Sequence, residues 1–350
     1  MSLRNLTNIS TPVNYNQTTN ATFSFKKVYF TPELTPALKA VSITIILLTG
    51  ISGMIANSMV FYLERKRKKK SKRSGPRPLE RSMSMYFIKS LALSDLLSCI
   101  IHTPMGCIWI LDGSIKTDLE CQLHRVALMS LSSITILNVT FIAIERYLAV
   151  YYPLRAPSVA VSKVCVVLAW VIGTIVGVAH ILPYKAVTFD IGQYAYTVIC
   201  VSYAEKEIAR VLMTIHTVIM FIIPNVIMLI SSILISRFLR KRKRQVADGI
   251  INATEKSQSW RFKDTGMFMK IIFAFYIPYT LFFVVGVMKE IGHVELNVPN
   301  ESIIQLSTFI LAFTNCVINP IIYVTAYKDI KNMARKIFTS STANTERTNP

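Results

Sequence analysis

The sequence predicts an all-α membrane protein: a seven-transmembrane helix bundle with a short amphipathic cytoplasmic helix after the seventh span. Three observations carry this. Of 350 residues, 52% are apolar and only 17% charged, with a mean hydropathy of +0.44. The apolar residues are gathered into seven long runs, each able to supply the roughly 20 residues that cross a bilayer core. Lys and Arg concentrate in alternate connections, as positive residues do on the cytoplasmic side.

The elements follow in order. Residues 1–36 form an extracellular tail with four glycan acceptor sequons at Asn5, Asn8, Asn16 and Asn20, a placement that makes sense for a segment reaching the secretory lumen. No charged and then apolar leader precedes the first span, 37–63, so that span is expected to act as the insertion signal. Residues 64–82 open with ERKRKKKSKR and are expected to be a long basic cytoplasmic loop. Spans two to four are 83–109, 119–152 and 162–182. The extracellular connection 183–207 alternates apolar and polar residues around Gly192, a β-hairpin signal. The fifth span is 208–239, the basic cytoplasmic loop 240–266, the sixth span 267–288 and the seventh 302–325. In 326–338 apolar residues fall on one helical stripe flanked by Lys and Arg, the pattern of a helix lying on an anionic leaflet. Residues 339–350 are polar enough to be a disordered tail. With this topology nearly the whole net charge of +20 lies on the cytoplasmic side.

Several function classes are disfavoured. The run Glu64 to Arg73 contains no aromatic residue for base stacking, so its charge does not point to a nucleic-acid partner. No nucleophile or pair of acids marks an enzyme. A transporter or channel, the alternative from another class, would want repeats and several intramembrane charges, whereas Asp95 is the one acid deep in a span. No Cys/His spacing suggests zinc. Cys99, Cys107, Cys165 and Cys316 read as small buried hydrophobes. Cys121 and Cys200 fall in extracellular segments, where an oxidising compartment lets them pair. Asp95 marks a functional site by its cost in lipid, and Asn57, Asn315 and Asn319 are its natural hydrogen-bond partners.

LALSDLL in the second span, Cys121 followed by Arg146 in IERYLAVYYPLR, Trp170, Pro224, FAFYIP in the sixth span and NPIIY in the seventh occur in order, one set per span. In this the chain resembles the rhodopsin-like (class A) G-protein-coupled receptors over residues 37–338. The resemblance implies that Glu145 holds the Arg146 guanidinium at rest, beside Tyr147, and that Arg146 when freed lines the pocket for the G protein. Leu154 would plug an apolar cleft on that partner. Pro320, next to Asn319, would let Tyr323 swing inward; Pro278 would make the sixth helix a lever, with Tyr276 as its rotating plug. Asp95, Thr135, Asn315 and Asn319 would cage an allosteric sodium ion, the one expected cofactor. Arrestin, a receptor kinase and anionic lipids join the G protein as expected partners.

The chain departs from the family pattern at four places. Tyr276 replaces a Trp, Ser232 a helix-five Tyr, Gln258 an acid that locks Arg146, and Ile272 a Phe. Measurable basal signalling is the expected result. For the ligand, Phe313 where light receptors carry a retinal-linking Lys disfavours an opsin, and Leu128 where amine receptors carry Asp disfavours an amine. The pocket by family position is Met105, Leu128, Met129, Ser132, His216, Tyr279, Phe283 and Phe309, largely apolar and aromatic. The hairpin signal and the acidic outer rim favour a neuropeptide ligand, with a lipid or apolar small molecule as the runner-up.

Overall fold

The computed structural model describes residues 28–29, 34–72, 79–112, 116–152, 157–179, 184–191, 195–202, 211, 214–248, 259–290, 298–326 and 332. The predicted tail sequons, the amphipathic segment apart from Ala326 and Asn332, and parts of each connection lie outside the described residues.

The helices are α1 (Pro36–Lys72), α2 (Leu79–Asp112), α3 (Asp118–Tyr151) and α4 (Val159–Ala179). After them come α5 (Thr214–Ala247), α6 (Ser259–Glu290), α7 (Val298–Phe313) and α8 (Asn315–Ala326). Among the described residues six helical stretches are long and apolar enough to cross a membrane, and α6 adds the shorter apolar stretch Thr265–Leu281.

The bundle is organised around α3. In its most apolar window 72% of residues are buried inside the protein, against 22% for α1 and 17% for α4, which puts α3 at the centre and the other two at the periphery. Large apolar side chains such as Leu48, Ile55, Val167 and Ile175 point outward, as they do where the solvent is hydrocarbon. The start of α3 is fixed locally: Glu120 N–H donates to Thr117 Oγ1, and Thr117 N–H donates to Glu120 Oε2 at 2.9 Å, a capping box. Such a cap is worth about 1 kcal/mol.

In lipid, helices associate by close packing rather than by excluding water, so small residues mark the contacts. On α4, a Cβ at Gly173 would stand 2.8 Å from the Ile134 backbone nitrogen, and one at Gly177 would stand 2.7 Å from that of Ser130. The backbones of α3 and α4 therefore touch through both glycines. The Trp170 indole on the same helix donates to Ser90 Oγ at 3.0 Å, tying α4 to α2.

Three features differ from the sequence-based expectation. The basic run after the first span is not loop from its first residue, because α1 continues as helix to Lys72; Arg and Lys are good helix formers and no Gly or Pro falls between Glu64 and Gly75. The seventh span is not one helix. It breaks at Thr314, whose hydroxyl donates back to Leu311 O at 2.7 Å, a backbone competitor of the kind that bends helices. The third difference is a strand added to the expected hairpin. Strands β2 (Tyr184–Ile191) and β3 (Ala195–Ser202) form the expected hairpin, in register from Tyr184 opposite Ser202 to Ile191 opposite Ala195. Sequence reading missed β1 (Val28–Tyr29), which pairs in parallel with β3 and completes a sheet of order β1-β3-β2. Two residues are too few to carry a period.

In α5 the turn Val218–Ile222 is π-helical and lies just before Pro224. Proline has no N–H to give and crowds the carbonyl four residues earlier, so an extra residue in that turn relieves the clash.

Candidate functional site

Three groups of polar and aromatic residues occupy successive levels of the bundle. At the hairpin end, Cys121 at the start of α3 is joined to Cys200 in β3, with Cα atoms 5.4 Å apart. The Ala186 N–H donates to Asp118 Oδ1 at 2.8 Å, and the Arg125 guanidinium lies 4.0 Å from the centre of the Tyr184 ring. Both hairpin strands are thus strapped to the first turns of α3.

Below the hairpin, the residues expected to line a pocket are distributed over α2, α3, α5, α6 and α7. Met105, Leu128, His216, Tyr279 and Phe309 are half-buried, while Met129 and Ser132 are buried. The side chain of Phe283 lies outside the described residues. Phe309 stacks on Phe313 with ring centres 5.8 Å apart. The sequence reading overlooked His102. It is buried on α2, stands edge-on to both phenylalanines at 6.3 Å, and its Nε2 has no hydrogen-bond partner. A lone His in an apolar span was the available signal, and burial made it informative.

At mid-height Asn319 Nδ2 donates to Asp95 Oδ2 at 3.0 Å. Ser94, next in sequence to Asp95, shares a 3.2 Å hydrogen bond with Thr135. Asn315 does not bond Asp95. Both of its side-chain polar atoms, and Asn319 Oδ1, are buried without hydrogen-bond partners. Asn57 is not a partner of Asp95 either; its amide donates to Gly53 O at 2.9 Å and Cys316 O at 2.8 Å, joining α1 to α8. Both are backbone carbonyls, acceptors that every residue carries, so side-chain types give no sign of them. One turn away in α6, Phe275 is fully buried and stacked on Tyr279 at 4.2 Å, whereas Tyr276 is half-buried.

At the far end of α3, Arg146 and Glu145 form a buried pair, 3% and 4% exposed. The Arg146 Nε donates to Glu145 Oε2 at 2.6 Å, and Nη2 donates to Glu145 Oε1, a two-pronged arrangement that suits a guanidinium. The Phe268 ring of α6 lies 4.9 Å from the guanidinium carbon. Tyr147 packs on Tyr151 at 4.9 Å, and the Tyr151 hydroxyl donates to Leu234 O of α5 at 3.0 Å. Pro320 and Tyr323 lie on α8, both buried. Pro278 is also buried, within α6. Leu154 and Gln258 lie outside the described residues.

Residues 76–323 match the sequence profile of the 7 transmembrane receptor (rhodopsin family). The chain belongs to that family. It is a multi-pass membrane receptor that converts ligand binding into activation of a heterotrimeric G protein, and its family is one of receptors rather than enzymes, transporters or channels. The receptor is 26% identical over 319 residues to a QRFP-like peptide receptor of Branchiostoma floridae, covering 88% of this chain and 80% of that one. It is 24% identical over 332 residues to neuropeptide Y receptor type 6 of Mus musculus, covering 91% and 85%. Over 260 residues it is 25% identical to growth hormone secretagogue receptor type 1 of Oryctolagus cuniculus, covering 69% and 68%. The receptor's buried Arg146–Glu145 pair and its Asp95–Asn319 bond therefore sit within a signalling bundle rather than a transport pathway.

Proposed function

We propose that this receptor is a neuropeptide receptor of the plasma membrane, with its N-terminus outside and its basic loops and C-terminus in the cytoplasm. The observation that carries the ligand class is the hairpin strapped to α3 at Cys121–Cys200, Ala186–Asp118 and Arg125–Tyr184. A hairpin held at three points offers a rigid strand and side-chain platform at the bundle mouth, which suits an extended chain better than a small molecule. The names of its relatives, a QRFP-like peptide receptor and a neuropeptide Y receptor, point the same way. His102, with Phe309 and Phe313 beside it, supplies a polar hook on an aromatic floor for one ligand side chain or terminus. The concentration of Lys and Arg in alternate connections supports the orientation.

In this reading the ligand favours a packing in which α6 pivots outward about Pro278 and opens the end of the bundle that holds Arg146. Arrestin and a receptor kinase act on the same cytoplasmic face, and anionic lipids meet the basic segments beside it. Amidated peptides and lipids, screened in parallel in a G-protein dissociation assay, test the ligand class. Activation by peptides, with potency reduced at least tenfold by His102→Ala, is the expected result; activation confined to lipids would remove the peptide reading.

Sodium fits the middle level. Asn319 Oδ1, on the side chain bonded to Asp95, and Asn315 Oδ1, one helical turn before it, are buried oxygens without partners, donors of the kind a hard cation takes. Asp95, Thr135, Asn315 and Asn319 are the residues that would hold it, and a bound cation would favour the closed packing. Asp95→Asn is expected to abolish the effect of sodium on agonist affinity, measured by exchanging sodium for a bulky organic cation at constant ionic strength. An undiminished sodium response would exclude this site.

A further inference from the structure

α1 and α8 meet at two levels. The upper contact is the Asn57 amide on Cys316 O. At the lower one the Tyr323 hydroxyl donates to Glu64 Oε1 at 2.5 Å and lies 3.7 Å from Met85 Sδ on α2. Both Glu64 and Tyr323 are 1% exposed. Glu64 is the first residue of the basic run ERKRKKKSKR, and charge counting alone treats it as a solvated partner of the lysines around it. The structure instead turns it inward, next to the apolar cluster that contains Val60, Leu63 and Met85. A buried carboxyl group is costly to keep there unless a donor compensates it, and Tyr323 is such a donor.

We propose that Glu64 is the positioning residue that holds Tyr323 in the resting arrangement, as a latch between α1 and α8. The inference rests on the reading that Tyr323 moves inward on activation. Its segment is built to bend: helical regularity lapses at Thr314, and Pro320, three residues before Tyr323, gives no N–H to the Cys316 carbonyl, so one helical bond is missing between the turn that holds Tyr323 and those above it. The receiving side is poor. The family resemblance implies that a Tyr at the helix-five position of Ser232 meets Tyr323 through water in the active packing; Ser232, 3% exposed and with an Oγ that has no hydrogen-bond partner, offers a short hydroxyl in place of that phenol. Leaving Glu64 therefore costs Tyr323 a strong bond and returns a weaker one. Glu64 thereby holds down the basal signalling expected from Gln258, where the locking acid is missing.

The test uses full-length, epitope-tagged receptor in membranes at matched surface levels, without ligand, and measures recruitment of soluble Gα proteins of each class. Glu64→Leu removes the acceptor and is expected to raise recruitment severalfold, up to about tenfold. Glu64→Gln keeps an acceptor oxygen and stays within about twofold of the parent. Tyr323→Phe breaks the same bond from the other side without touching α1, and it also raises recruitment. It answers the question even where Glu64→Leu fails to reach the surface. The double variant Glu64→Leu/Tyr323→Phe is no more active than Tyr323→Phe alone, a non-additivity that a merely structural role for Glu64 would not produce. Tyr323→Ala, which deletes the moving ring, lowers recruitment. Unchanged recruitment in Glu64→Leu and Tyr323→Phe, with Tyr323→Ala lowered, overturns the latch and leaves the inward swing standing. Unchanged recruitment in Tyr323→Ala overturns the swing, and the latch with it.

Discussion

Gly177→Val is expected to abolish surface display of the receptor. At this position even the first side-chain carbon is too much: a Cβ would lie 2.7 Å from the Ser130 backbone nitrogen and 1.8 Å from Ser130 Oγ. The hydroxyl can rotate, but the nitrogen belongs to the most buried helix of the bundle and cannot yield without moving α3. Overpacking typically costs about 1–3 kcal/mol and more where backbone must move, a large part of the roughly 5–15 kcal/mol that holds a typical protein together. Gly177→Ala carries the same first clash and should show a partial loss. Adding Ser130→Gly removes the side-chain half of the collision, so the double variant Gly177→Ala/Ser130→Gly should recover part of the display. Flow cytometry on an N-terminal tag measures all three; normal display of Gly177→Val would mean that α4 is not held against α3 as described.

Arg146→Ala is expected to reduce G-protein nucleotide exchange to background and to destabilise the detergent-solubilised receptor as well. The two losses have one origin. Arg146 is buried and grips both oxygens of Glu145, so its removal deletes the group proposed to face the G protein and strands a carboxylate in an apolar setting. Stranding one partner of a buried pair costs roughly 3–5 kcal/mol. Arg146→Lys keeps the charge but loses the fork, and should restore more stability than signalling. Glu145→Gln should act in the opposite direction, raising basal exchange, because it weakens the grip while leaving the guanidinium in place. Equal basal exchange in the parent and Glu145→Gln would show that the pair does not restrain the resting state.

The fold was largely legible because lipid enforces simple rules. Seven apolar runs, a hairpin around Gly192 and a pair of outer cysteines each follow from one constraint acting on a short stretch. The breaks and contacts that depend on two distant stretches were not legible. Nothing near Thr314 announces that its hydroxyl will take over a backbone carbonyl and divide the seventh span. Asn57 looks like a partner for Asp95, since both are polar and intramembrane, yet a carbonyl of α8 is nearer and needs a donor more. The site shows the same division. Asp95 could be named from sequence because it is expensive in a membrane, Asn319 as its donor and Arg146 through the motif that carries the family resemblance, whereas His102 and Glu64 were hidden, one by its isolation and the other by the lysines that follow it.

The short strand β1 has a consequence for how a ligand arrives. The order β1-β3-β2 makes β3 the interior strand of the sheet, with β2 on one side and Val28–Tyr29 of the tail on the other at Ala195 and Tyr196. A peptide that docks by adding itself as a strand needs a free row of backbone donors and acceptors, and at that point on β3 the receptor's own tail has taken the place. Such a ligand must either compete with the tail for the seat or enter past it into the bundle.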